Sequence, residues 1–367
     1  MSEVVSKMTA FRGARRLASL SYAAEAGPGG GIVSSIEFDK DGSHLAVAGV
    51  TRVIKLYDYA SILEACSSGQ ELHYPAKEMM GGAKISSLSW NRFSRSQLAS
   101  CDYDGSIVLW DTFVAKSTQR LKEHEKRCWS VSFSSESPRL LASGSDDGKV
   151  KLWEAGTAGS VSEIRVGINV CCVQFCGFTG AGSGAGKQLA FGSADHCVHL
   201  YDIRKTTGPV AVFEGHRKAV SYVRFLQSDQ LVSASTDAEL RIWDVGQTGC
   251  RRILRGHQNE KNFVGLATNA DYIACGSESN QLFFYYKLLT RPMFSQPFGK
   301  ERGLAGILDT QPSPCPPREA EEVAAGGGEA GQPQEASDFV SAVAWKPDSN
   351  VVVAANSQGI IRVLELI

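Results

Sequence analysis

The sequence predicts an all-β fold: seven four-stranded blades set as a β-propeller, with an N-terminal strand closing the ring. Three observations predict it. Seven segments of the 367-residue chain share one ending: IKLYD (54–58), IVLWD (107–111), VKLWE (150–154), VHLYD (198–202), LRIWD (240–244), LFFYY (282–286) and IRVLE (361–365). Each follows a small-residue strand and a tight turn, as in LASCDYDG, LASGSDDG, LAFGSADH and LVSASTDA. Each of these follows an alternating strand, in order VSSIEF, ISSLSW, WSVSF, VCCVQF, VSYVRF, FVGLAT and VSAVAW. Alternation of period two marks a strand, and a repeat of roughly 40–45 residues with four strands makes one propeller blade.

These endings are the WD-repeat pattern, and the resemblance to it covers roughly residues 14–367. It implies a polar device inside each blade, visible here in Gly215–His216, Ser233, Asp237 and Trp243: a loop His bonds a turn Asp, and the strand Ser and Trp complete the network. His124, His216 and His257 are expected to be structural histidines of this kind, because buried polar groups must be paired.

In chain order, residues 1–13 are expected to be a disordered tail. RRLASLSY (15–22) precedes the first full blade and lacks a blade of its own. An open ring would leave two sheet edges unpaired, so this segment is expected to form the outer strand of the last blade. Two segments break the rhythm. GFTGAGSGAGK (177–187) falls between the first and second strands of the fourth blade. It departs from a phosphate loop at Ala181 and Gln188, where G-x-x-x-x-G-K-[ST] needs Gly and Ser or Thr, so a hairpin loop is expected. Residues 296–337, rich in Pro, Gly, Ala and Glu, are expected to be a disordered insertion between the sixth and seventh blades.

Composition excludes several classes of function. Lys and Arg number 38 against 39 Asp and Glu, a net charge of −1. That gives no overall field for nucleic acid or a membrane surface. No apolar stretch approaches the roughly 20 residues that span a bilayer, and the N-terminus lacks a signal-peptide pattern. An intracellular protein of nucleus and cytoplasm is expected. The ten cysteines form no C-x-x-C pair. The cluster CCVQFC lies in a strand-like run, where small reduced apolar residues are the expectation rather than metal ligands. No nucleophile elbow or dinucleotide fingerprint is present. His196 falls at a turn, His199 on the next strand, and Asp146 and Asp147 read as turn chemistry. No catalytic residue, cofactor or metal is expected.

The unusual surface is the set of connections entering the innermost strands: AKISS (83–87), EKRCWS (125–130), GHRKAVSY (215–222) and GHQNEKNF (256–263). In a propeller they open on one face around the central channel. Lys84, Arg127, Lys218 and Lys261 should therefore meet on one rim, with Trp129 and Phe263 between them and Tyr103 on the same face. Cations beside aromatics suit an extended acidic peptide with an apolar anchor. The other reading is ordinary solvated loops, with Trp129 partly buried in the channel.

At HEKRCWSVSF, SGSDDGKVKLW, SADHCVHLYD, GHRKAVSY, STDAELRIWD, NEKNFVGL and ANSQGIIRVLELI the chain resembles the C-terminal propeller of the constitutive photomorphogenesis (COP-type) RING ubiquitin ligase. The resemblance implies recognition of short Val-Pro peptides, preceded by acidic residues, in transcription factors, pseudokinases or photoreceptors. It implies that Lys84, Tyr103, Arg127, Trp129, His196, Lys218, Glu260 and Phe263 line the peptide groove, with Trp129 and Phe263 holding the Val-Pro anchor. YDIR (201–204) resembles a box through which WD proteins dock on a cullin adaptor; Asp202 and Arg204 would be the contacts, unless the stretch is an ordinary strand end. The chain shows no Cys/His spacing of a RING and no sustained heptads. It is therefore expected not to transfer ubiquitin by itself, and to act with a RING ligase subunit or cullin adaptor. A generic WD-repeat scaffold, or a stand-alone regulator like the repressors of ultraviolet-B photomorphogenesis, is the alternative.

Overall fold

A computed structural model describes residues 2–22, 31–69, 73–178, 185–247, 249–299 and 338–367. It contains seven four-stranded antiparallel sheets. Blades 1 to 6 span 33–80, 85–121, 128–165, 170–213, 220–254 and 266–297. Blade 7 takes three strands from 340–366 and its fourth from Ala14–Ser21. That fourth strand pairs with Ile360–Leu366, from Ala14 opposite Leu366 to Ser21 opposite Ile360. The innermost strands contact one another all the way round, so the ring is closed.

Deleting residues 14–21 is expected to abolish cooperative folding. The deletion unpairs Ile360–Leu366 and exposes the cluster that Ala18 and Leu20 enter. Soluble yield and a thermal melt check it; an unchanged melt refutes it.

The small-residue strands follow from blade packing. A Cβ built on Gly144 would lie 2.6 Å from Val170, and one on Gly192 would lie 2.6 Å from Val220. Each glycine thus lets the next blade's inner strand press against it. The polar residues of the inner strands have a second role. Ser35 Oγ accepts the Leu88 amide, Ser89 Oγ the Phe133 amide, Ser132 Oγ the Phe175 amide and Gln174 Oε1 the Phe225 amide. Channel-facing side chains therefore tie each inner strand to its neighbour.

The WD device is present in blades 3 and 5. His124 lies 2.8 Å from Asp147 and 2.7 Å from Ser143, whose hydroxyl also accepts Trp153 Nε1 at 2.8 Å. His216 lies 3.0 Å from Asp237 and 2.7 Å from Ser233, and Trp243 donates to that serine at 2.8 Å. In blade 6 the expectation fails. By repeat register Ser279, Cys275 and Tyr285 stand where blade 5 has Asp237, Ser233 and Trp243. His257 meets the Tyr285 hydroxyl at 3.0 Å, and its Nε2 has no partner. Burial pushes the His257 imidazole down to about 4, so it is buried neutral. Blade 4 uses another variant: its turn acid Asp195 takes His199 from the neighbouring strand at 2.8 Å.

Among the described residues, two α-helices accompany the strands. The stretch expected as a disordered tail carries a helix, Ser2–Met8. Seven residues cannot hold a helix alone; blade 6 holds this one. Lys7 pairs with Asp271 at 2.8 Å, Tyr272 OH donates to the Lys7 carbonyl, and Phe11 packs on Tyr272 with centroids 5.0 Å apart. A second helix, Tyr59–Ser67, leaves the end of IKLYD because Asp58 caps it, accepting the Ser61 amide at 2.7 Å. Residues 296 and 297, expected to open the insertion, belong instead to Phe294–Pro297, the outer strand of blade 6. Residues 300–337 lie outside the described residues, as do 179–184 of the fourth-blade loop.

Candidate functional site

Each tight turn of the ring is pinned to the connection that enters the same blade. The Tyr103 amide donates to the Lys84 carbonyl at 2.9 Å, and the Asp146 amide to the Arg127 carbonyl at 3.0 Å. Ala194, Thr236 and Ser357 make the same bond to Asn169, Ala219 and Phe339. These repeats of one bond put turns and entering connections on a single face, as the repeat register predicted.

At the mouth of the channel four aromatic rings form a chain. Tyr103 from blade 2 meets Trp129 from blade 3 at 5.5 Å, edge to face. Trp129 meets Phe263, at the entry to blade 6, at 4.8 Å. Phe263 meets Tyr222 of blade 5 at 5.9 Å. Blades 3 and 6 are not neighbours, so the Trp129–Phe263 contact crosses the opening. Both rings are half-buried and line the top of a channel of about 1070 Å³. The two rings expected to hold one apolar anchor press together here at a spacing favourable for edge-to-face pairs.

Arg127 lies over this cluster, 4.7 Å from the Trp129 ring and 5.2 Å from Tyr103. Its Nε donates to Asp146 Oδ2 at 3.1 Å, and Trp129 Nε1 donates to Asp146 Oδ1 at 2.7 Å. One carboxylate thus orients both the cation and the indole. Asp146 was read from sequence as turn chemistry alone; the structure makes it the hub of the site. Register could have shown this, because Asp146 occupies the same turn position as Tyr103.

Glu278, in the matching turn position of blade 6, is a second hub that sequence reasoning missed. Its carboxylate accepts the backbone amides of Glu260, Lys261 and Asn262 at 2.7 to 2.9 Å, and Asn262 Nδ2 at 3.0 Å. Burial opposes ionisation of Glu278, but these donors outweigh it and hold its carboxyl below the usual range. The loop carrying Glu260 and Phe263 is thereby set in place. Lys218 Nζ reaches the Glu260 carbonyl at 3.4 Å.

Lys84, Arg127, Lys218 and Glu260 are exposed. Of the predicted groove residues, Tyr103, Arg127 and Phe263 each touch Trp129. Lys84 is joined to them through its backbone, and Lys218 and Glu260 to each other. His196 makes none of these contacts. It holds the left-handed fourth position of its turn, with φ of 71°, where blades 2 and 3 have Gly105 and Gly148. Its side chain is exposed, and no ring contact or hydrogen bond ties it to the aromatic cluster. Asp202 and Arg204 pair with each other at the far end of a blade 4 strand, opposite the turn that carries His196.

The cysteine cluster lies in the inner strand Val170–Phe175 and just after it. Burial pushes the Cys171 thiol up to about 12 and the Cys172 thiol to about 11. Among the described residues, no group of three or more His, Cys, Asp or Glu side chains could hold a metal ion. The face instead offers an apolar surface ringed by donors, which suits binding of an extended chain.

A model of the WD domain, G-beta repeat, matches residues 23–58 and 75–111, and a model of the Nucleolar protein 10-like N-terminal domain matches 112–292. E3 ubiquitin-protein ligase COP1 of Pisum sativum is 44% identical over 335 residues, 91% of this chain and 45% of that protein. The chain thus spans about half the length of the COP1 relatives it matches. WD repeat-containing protein RUP1 of Arabidopsis thaliana is 35% identical over 73% of this chain and 70% of its own length. RUP2 of the same plant is 31% identical over 90% of this chain and 87% of its own length. The propeller, its repeats and these likenesses agree: the chain belongs to the WD-repeat family that holds the COP1 propellers and the RUP proteins.

Proposed function

We propose that this propeller is the substrate-recognition module of a ubiquitin-ligase system, and that its channel mouth binds short Val-Pro peptides with acidic flanks. The observation that carries the reading is the aromatic chain Tyr103–Trp129–Phe263, bordered by the exposed cations Lys84, Arg127 and Lys218. Rings supply packing surface for Val and Pro, and the cations pair carboxylates. His196, in the matching turn of blade 4 on the same face, would line the groove from that side. The partners are transcription factors, pseudokinases or photoreceptors that carry such motifs, in nucleus and cytoplasm. Ubiquitin transfer falls to a RING subunit or domain, and Asp202 with Arg204 would meet a cullin adaptor.

Titrating the protein with a labelled acidic-x-x-Val-Pro-acidic peptide tests the reading. Binding at micromolar affinity or better, about −8 kcal/mol, is expected, with loss when Val-Pro becomes Ala-Ala. Lys218→Glu is expected to slow association about tenfold and to flatten its salt dependence, because a rim charge steers encounter. Unchanged association kinetics would remove Lys218 from the site, and absent peptide binding would reject the function.

The cover of RUP1 and RUP2, at 70% and 87% of their lengths, favours a second form of the same reading. In it the propeller is a regulator that competes for Val-Pro partners without recruiting them to a ligase. Adding the protein to a ligase–substrate mixture separates the two: stimulation of ubiquitination supports the receptor, inhibition the competitor.

A further inference from the structure

A cleft of about 590 Å³ lies on the side of the ring, between the outer strand of blade 5, Cys250–Leu254, and Thr290 and Arg291 in the connection before the outer strand of blade 6. Arg251, Arg252, Arg255 and Arg291 line it, and no carboxylate does. The Arg255 amide donates to the Thr290 carbonyl at 3.0 Å, which joins the two walls. Arg217 and Arg241 stand behind them. Two acids serve this group: Asp244 pairs with Arg251 at 2.7 Å, while Glu239 takes Arg241 at 2.8 Å, Arg255 at 2.6 Å and Arg217 at 3.5 Å. With Asp237, which accepts the Arg217 amide, six guanidinium groups stand against three carboxylates, a local surplus of three positive charges in a chain whose net charge is −1. Arg251 and Arg255 remain about half exposed, at 51% and 59% of their side chains.

We propose that this cleft docks an extended, carboxylate-rich protein segment. Two features choose that occupant. Cys250–Leu254 is the last strand of its sheet, so its outer edge has free backbone donors and acceptors for an added strand. Arg252 donates to the Leu288 carbonyl, and Arg291 with the exposed parts of Arg251 and Arg255 leaves forked donors along that edge for carboxylates. Nucleic acid fits poorly, because a phosphate backbone needs a long cationic track and this surplus is confined to one blade edge. The seat is on the outermost strand of blade 5, whereas the channel mouth is built from the innermost connections. A partner held here leaves the mouth free, so one protein could be gripped at two places or two proteins at once.

The test uses the full chain and fluorescein-labelled deca-glutamate, read by anisotropy. Salt-sensitive binding is expected, and Arg251→Glu with Arg291→Glu should weaken it about tenfold or more. Arg291→Glu alone disturbs no ion pair with Asp244 or Glu239, and should weaken binding severalfold if the double variant melts early. Trp129→Ala should leave deca-glutamate binding intact, and Arg291→Glu should leave Val-Pro peptide binding intact, so the two sites fail separately. Unaltered deca-glutamate affinity in Arg291→Glu, or tighter binding of a labelled oligothymidylate than of deca-glutamate, would overturn the proposal.

Discussion

Trp129→Ala is expected to weaken binding of an acidic Val-Pro peptide by about 2 kcal/mol or more, roughly thirtyfold in Kd. The indole sits at the centre of the mouth, touched by Tyr103, Phe263 and Arg127 and bonded to Asp146. Removing it deletes the widest packing surface for Val and Pro. Asp146 keeps Arg127, so the loss is one of surface rather than collapse. Trp129→Phe separates the contributions. It keeps a ring against Phe263 but gives up the Asp146 bond, and should lose less than the alanine variant. Calorimetry with the same peptide checks both. Equal affinity for wild type and Trp129→Ala would remove the mouth from the binding site.

The second large effect concerns stability. His216→Ala leaves Asp237 buried without its imidazole and Ser233 without one partner. Breaking a buried pair on one side costs about 3 kcal/mol. Denaturant unfolding should show the loss, while a change at an exposed loop cation such as Lys126 should show little. The same network sets the acid limit. Burial opposes ionisation of Asp237, but His216 and the Arg217 amide outweigh it and lower its carboxyl to about 2. A carboxyl lowered on folding stabilises fully above its unfolded value near 3.9, and that stability is lost as pH falls toward 2. His257 acts earlier. It is held neutral with a value near 4, so its contribution is complete above about 6.5 and declines as pH drops to 4. Glu37, raised to about 7 by burial, gains stability on acidification over part of the same range, so the His257 step is read as the difference between wild type and variant, while Asp237 adds a further fall toward 2. His257→Gln should flatten the upper step, and an unaltered pH profile in that variant would refute the assignment.

The ring was legible because seven copies of one grammar must build seven copies of one sheet, and because RRLASLSY had no blade of its own. The convergence of Trp129, Phe263 and Tyr103 was legible for the same reason: register carries distant positions to one face. What register does not hold is distance. The width of the channel decides whether Trp129 and Phe263 stand apart or touch, and that width comes from packing such as Gly144 on Val170. Asp146 and Glu278 were missed because an acid in a tight turn has a sufficient local explanation. His257 was misjudged because the GH signature is local, while the acid and hydroxyl that it needs, a hairpin away, are replaced by Ser279 and Cys275, leaving the Tyr285 hydroxyl as its partner. Helix Ser2–Met8 was invisible because its support comes from Asp271 and Tyr272, across almost the whole chain.

The shared last sheet also constrains how the molecule is made. Arg15 and Glu365 pair across 350 positions. At about 5–20 residues per second of translation, Ala14–Ser21 waits roughly 20–70 s for its mate to leave the ribosome. Through that interval a strand bearing Leu17 and Leu20 is unmatched, long enough to seek a wrong mate on a neighbouring nascent chain. Biosynthesis of this protein should therefore lean on a chaperone that shields Ala14–Ser21 until the final hairpin emerges.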